Sequence, residues 1–139
     1  MAPPTEAQLA ALLEAANHVA ANAYAPYSNF RVGAALLLDA PVAAIVTGCN
    51  VENTSFRLTT CAEQSAIAAA VAQYGPHIRI RAIAVANRNT APSPPCGACR
   101  QTILEFSLPE TLLLYPGANG TPQQTLLSTL LPSAFTLNT

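Results

Sequence analysis

Two short cysteine motifs restrict this chain more than any other feature, because each stands where a helix would begin. Cys61-Ala62-Glu63 precedes an Ala-rich run, Ala66-Ile67-Ala68-Ala69-Ala70-Val71, of high helix propensity. Pro95-Cys96-Gly97-Ala98-Cys99 precedes a second helical run with Ile103, Leu104 and Phe106 turned inward. Cys96 and Cys99, three apart, share one helix face. Helix N-termini carry partial positive charge, which lowers a thiol's pKa and favours the thiolate. Alone, the C-x-x-C fits half of a structural zinc site, a redox dithiol or part of a catalytic zinc site. If both helix starts point at one spot, three thiolates meet, and a tetrahedral zinc keeps its fourth position open for water. Glu63 stands two residues from Cys61, so its carboxylate can reach that water and move its proton. The fourth cysteine, Cys49, falls in a strand-like run and reads as core.

The remaining chain alternates helix and strand patterns. Residues 5–24 read as an amphipathic helix, with Leu9, Leu12, Leu13, Ala16, Val19 and Ala20 at helical spacing and Pro4-Thr5-Glu6 at its start. Residues 30–38 and 42–49 read as a hairpin around Asp39-Ala40-Pro41, followed by a polar loop over 50–60. The helix from Cys61 ends at Gly75-Pro76, residues 80–86 read as a buried strand, and 87–95 form a loop rich in Pro and Asn. A helix over 97–106, a strand over 111–115, a turn at Pro116–Gly120 and a Leu-rich tail complete the chain. The order α-β-β-α-β-α-β predicts one domain over residues 1–139, a three-layer αβα sandwich with a mixed β-sheet. Residues 1–4 are the stretch expected to be disordered.

Charge is scarce. Six Arg, no Lys and seven acidic residues make 9% of the 139 residues and a net charge of -1, against roughly 25% charged in ordinary domains. Such a chain lacks the basic patch that nucleic-acid binding needs. An apolar content of 51% argues against disorder. No apolar run reaches the roughly 18 residues of a membrane helix, and the N-terminus carries no signal-peptide pattern, so a disulfide framework is not expected. The thin charge leaves two accounts of the surface: uncharged polar residues keep it soluble, or other subunits cover it.

The motifs taken together resemble the small zinc-dependent cytidine deaminases. The resemblance runs through residues 25–35, Gly48-Cys49-Asn50-Val51-Glu52-Asn53, Cys61-Ala62-Glu63, Pro95-Cys96-Gly97-Ala98-Cys99-Arg100-Gln101 and Leu130-Leu131-Pro132-Ser133-Ala134-Phe135. It implies that Cys61, Cys96 and Cys99 bind one zinc ion per subunit. It implies hydrolysis of cytidine and 2′-deoxycytidine to uridine, 2′-deoxyuridine and ammonia, with zinc-bound hydroxide attacking C4 and Glu63 as proton shuttle. The backbone N–H of Ala62 would bind the ring carbonyl, and Phe30 would flank the base. Asn50 and Glu52 would hydrogen-bond the ribose, with Tyr27 near the sugar. Phe135 would stack on the base in a neighbouring subunit's site, since the family is usually homotetrameric. A cytoplasmic role in pyrimidine salvage, with no nucleic-acid and no membrane partner, goes with these expectations.

Three positions depart from the family. Gln64 stands where tetrameric bacterial relatives usually have Arg, so the thiolate cluster loses a nearby positive charge unless Arg57 or Arg100 supplies it. Phe56 replaces a frequent Tyr, and Pro94 replaces the Ser that usually precedes Pro-Cys. Two rival readings remain at this point: a deaminase of a modified cytosine nucleoside or blasticidin-like compound, and a non-catalytic zinc-binding scaffold with the same fold. A redox dithiol protein is a third.

Overall fold

The structure, a computed structural model, describes residues 2–137. The first helix, α1 (Glu6–Ala20), starts at a capping box in which the Gln8 N–H donates to the Thr5 hydroxyl and the Thr5 N–H donates to the Gln8 side-chain carbonyl. It ends four residues before the pattern suggested. Tyr24 leaves the helix because its N–H donates to Asn50 O at 3.0 Å and its carbonyl accepts from Glu52 N–H at 2.9 Å. Ala2–Pro4 precede the helix outside any regular element, and Met1 lies outside the described residues.

Strands β1 (Val32–Ala40), β2 (Ile45–Cys49), β3 (Arg79–Asn87), β4 (Ser107–Pro116) and β5 (Pro122–Leu126) form one sheet in the order β2-β1-β3-β4-β5. Only β3 and β4 run parallel; the other neighbours are antiparallel. Alternation along the central strands sorts the core into two halves. Ala34, Leu36, Leu38, Ile80 and Ile83 pack toward α2 (Ala62–Tyr74), α3 (Gly97–Leu104) and the short α4 (Leu127–Leu130). Ala35, Leu37, Ala82, Ala84 and Ala86 pack toward Leu12 and Ala16 of α1. The result is the three-layer αβα sandwich with a mixed sheet. A register irregularity between Ile80 and Ala82 lets Ile80 and Ile83 share a face. It also leaves Arg81 paired with Asp39 at 2.6 Å.

Strand β5 was not anticipated. Its sequence, Pro-Gln-Gln-Thr-Leu, is polar and mostly exposed, and Pro122 sits at its first position on the sheet edge, where a missing N–H costs no ladder bond. Strand β4 begins four residues earlier than its apolar run. The buried Thr111 hydroxyl donates to Ile80 O at 2.5 Å and accepts from Leu108 N–H at 2.8 Å, which extends the element.

Two glycines set the layer spacing. A Cβ on Gly33 would stand 2.0 Å from Ala16 O of α1, and a Cβ on Gly48 would stand 2.3 Å from Ala66 N of α2. Both helices therefore rest directly on strand backbone. Gly33→Ala is expected to lower unfolding free energy by about 1–3 kcal/mol or more through overpacking, as read by urea denaturation. An unchanged midpoint would show that α1 can move away freely.

Candidate active site

Both cysteine motifs become helix caps. Cys61 is the extended N-cap of α2, at φ -71 and ψ 156, and Cys96 is the extended N-cap of α3, at φ -65 and ψ 170. Cys99 follows in the first turn of α3 and is buried, Cys61 is half-buried and Cys96 is exposed. The three sulfurs lie within 4.8 Å of one another. Tetrahedral zinc with Zn–S bonds of about 2.3 Å holds its sulfurs roughly 3.8 Å apart, so the donor set and spacing fit that ion. The Cys61 thiol is pulled down to about 7, first by a hydrogen bond from Cys99, while Cys99 is pushed up by its bond to Cys61 and by burial. Cys49 is half-buried at the end of β2 rather than in the core, and lies outside the cluster.

Glu63, at the second position of α2, is buried with 5% exposure. Burial pushes its carboxyl above the usual range, partly offset by its own backbone N–H and by Cys99. The thiols and Glu63 line a cavity of about 210 Å³ together with Phe30, Val32, Asn50, Thr59, Ala62, Val85, Ser93 and Pro94. Ala62 opens α2, where N–H groups lack helical partners. Among the described residues, Glu63 is the one Asp, Glu, Lys or Arg that lines this cavity.

Asn50 fastens one wall. Its Nδ2 donates to Phe30 O at 2.8 Å and its Oδ1 accepts from Val32 N–H at 2.9 Å. One N–H and one lone pair of the amide remain for a ligand. Thr59 also lines a second cavity of about 310 Å³ with Tyr27, Ser28, Glu52 and Phe56. The Tyr27 and Phe56 rings meet edge to face, 6.0 Å between centroids. Glu52 accepts from the Ser28 hydroxyl, from Tyr27 N–H at 2.9 Å and from Ser28 N–H at 3.2 Å. The Ser28 bond is the leading cause of a carboxyl held below its usual range.

The structure thus gathers Phe30, Asn50, Cys61, Ala62, Glu63, Cys96 and Cys99 around one cavity and places Tyr27 and Glu52 in the next. Phe135 is elsewhere. It is 62% exposed, beside α3, with its carbonyl accepting from Gln101 Nε2 at 2.9 Å. Arg100 directs its guanidinium to Pro95 O at 2.6 Å and Leu130 O at 2.9 Å, and Arg57 is exposed on the 3-10 turn Phe56–Leu58. The Gln64 side-chain carbonyl accepts from Cys61 N–H at 3.2 Å, closing a capping box at the first helix start. Thr59, Val85 and Ser93 line the cavity without having been singled out, since no motif marks them, and Val32 does so from the 25–35 segment without having been given a role.

Residues 6–115 match the family described as the cytidine and deoxycytidylate deaminase zinc-binding region. Cytidine deaminase of Halalkalibacterium halodurans is 40% identical over 125 residues, 90% of this chain and 92% of that protein. Cytidine deaminase of Mycobacterium tuberculosis is 43% identical over 123 residues, 88% and 86% of the two chains. The crystal structure of cytidine deaminase from Burkholderia pseudomallei superposes with a TM-score of 0.81 at 42% identity, covering 95% of this chain and 100% of that one. The chain belongs to the cytidine and deoxycytidylate deaminases, a zinc-binding family whose ion the three-cysteine cluster could hold. Within it the chain is an enzyme of the small bacterial cytidine deaminase kind, and the scaffold and redox-dithiol readings give way.

The Asn50 clamp can be tested by stability. Asn50→Ala leaves the Phe30 carbonyl and the Val32 N–H without their partner and should cost about 1–3 kcal/mol, seen as a lowered thermal midpoint. A midpoint equal to wild type would show that water or a rearranged backbone replaces both bonds.

Proposed function

We propose that the chain hydrolyses cytidine and 2′-deoxycytidine to uridine and 2′-deoxyuridine, releasing ammonia, as a cytoplasmic enzyme of pyrimidine salvage. The observation that carries this is a buried carboxyl, Glu63, set beside three convergent thiols in a cavity that no other Asp, Glu, Lys or Arg among the described residues lines. A nearly neutral base suits such a cavity, and the adjoining space at Glu52 suits its sugar.

In this reading Cys61, Cys96 and Cys99 hold zinc, whose Lewis acidity makes water nucleophilic near neutral pH. Glu63 takes one proton from the attacking water and passes it to ring N3, then takes the second from the oxygen now bonded to C4 and hands it to the exocyclic nitrogen. The water oxygen bonds to C4, the bond from C4 to the amine breaks, and ammonia leaves. Burial holds the Glu63 carboxyl above the usual carboxylate range, which favours the protonated form it must pass through as a shuttle. The Ala62 N–H at the helix start faces the ring carbonyl, and Phe30 flanks the base. Asn50 and Glu52 bind the ribose, beside Tyr27. Glu52 does so already oriented by Ser28 and the backbone of Tyr27 and Ser28.

The working unit in this proposal is a homotetramer in which Phe135 reaches a neighbouring subunit's base. Its exposure, with that of Tyr24 (55%), Phe56 (74%) and Leu58 (63%), supports a covered surface. Among the described residues no helix is long and apolar enough to cross a membrane.

Zinc content and ammonia release separate the readings. Wild type should bind one zinc per chain and turn over cytidine. Glu63→Gln should keep the zinc and lose about a hundredfold to ten-thousandfold in kcat. Zinc bound with no turnover of cytidine would defeat the proposal, and turnover confined to a modified cytosine nucleoside or a blasticidin-like compound would replace the substrate. Light scattering should give four chains per particle, and Phe135→Ala should lower kcat/KM without unfolding the chain. A fully active monomer would remove both the tetramer and the role of Phe135.

A further inference from the structure

We propose that Asn87, which does not line the thiol cavity, is the positioning residue for the loop that walls it. Asn87 is the last residue of β3, and its amide uses its full bonding capacity on the loop that follows. Its Nδ2 donates to Ala91 O at 2.9 Å and Ser93 Oγ at 2.7 Å. Its Oδ1 accepts from Asn89 N–H at 2.9 Å and Ala91 N–H at 3.2 Å.

That loop is bonded to the segment that carries Phe30 and itself contributes to the cavity lining. Arg88 N–H donates to Arg31 O at 3.0 Å and Asn89 Nδ2 donates to Asn29 O at 3.4 Å, on either side of Phe30 in sequence. Ser93 N–H donates to Pro116 O of β4 at 2.9 Å, Ser93 and Pro94 line the cavity, and Cys96 follows. The loop does not choose this shape by itself. Thr90 sits at φ 51, a left-handed conformation that a β-branched residue adopts only when its surroundings impose it. The Asn87 amide bonds to the residues on each side of Thr90, Asn89 and Ala91, and so imposes it. Losing the amide frees the loop to relax, moving Ser93 and Pro94 away from the reacting base while leaving the cysteine-bearing helices in place.

The inference rests on the deaminase reading for its activity measurement only. In zinc-loaded Asn87→Ala, amide exchange over residues 88–95 should rise about tenfold or more, while α2 and β4 keep wild-type protection and zinc content is unchanged. Its kcat/KM for cytidine should fall about tenfold to a hundredfold, as a displaced cavity wall misaligns the base. Asn87→Asp keeps both accepted bonds and cannot donate, so it should lie between. It also carries both measurements if Asn87→Ala does not fold. Unchanged exchange over 88–95 would overturn the inference, as would a loosened loop with kcat/KM within about twofold of wild type. A wild type inert toward cytidine would count against the deaminase reading, and the exchange comparison would then decide the role of Asn87.

Discussion

The close seating of α2 on β2 governs the rest of the site. Gly48 lets the helix backbone at Ala66 come within the space a methyl group would fill. That contact fixes where the helix begins, and its cap residue is Cys61. The second helix start is fixed independently, by the buried Pro95 and by Arg100, whose guanidinium grips the Pro95 carbonyl and the C-terminal segment at Leu130. Two separately anchored helix ends then face one point. The thiol cluster is their meeting place.

Electrostatics at that point are unusually local. Helix starts supply partial positive charge, the thiols and Glu63 supply the acidic groups, and neither Arg57 nor Arg100 is spent on the sulfurs. Gln64 instead turns its carbonyl toward the Cys61 N–H, so its contribution is to the shape of the helix start. Among the described residues, no Arg lines the cavity around the cluster. A site made this way suits a ligand with no net charge of its own.

Legibility in the sequence followed the strength of the local signal. The α2 and α3 starts could be placed because cysteine, proline and glycine mark them, and the central strands because apolar residues dominate them, with Arg81 the exception in β3. The end of α1 was misjudged because Tyr24 is held by Asn50 and Glu52, partners more than twenty residues away. Strand β5 was missed because an exposed edge needs no apolar pattern. At the site, the cysteines and Glu63 were visible as motifs, whereas Asn50 and Glu52 gained meaning only from family resemblance. Thr59 and Ser93 were invisible: they reach the cavity through loop paths that no periodicity encodes.

Strand β3 is built of two unlike faces. Its face toward α1 is a ladder of Ala82, Ala84 and Ala86, and its opposite face carries Ile80, Ile83 and Val85. Small side chains therefore meet Leu12 and Ala16 of α1 on one face, and branched side chains face α2 and the cavity on the other. The helix layer that carries the cysteines and Glu63 is thus the one borne by the bulkier side of the strand.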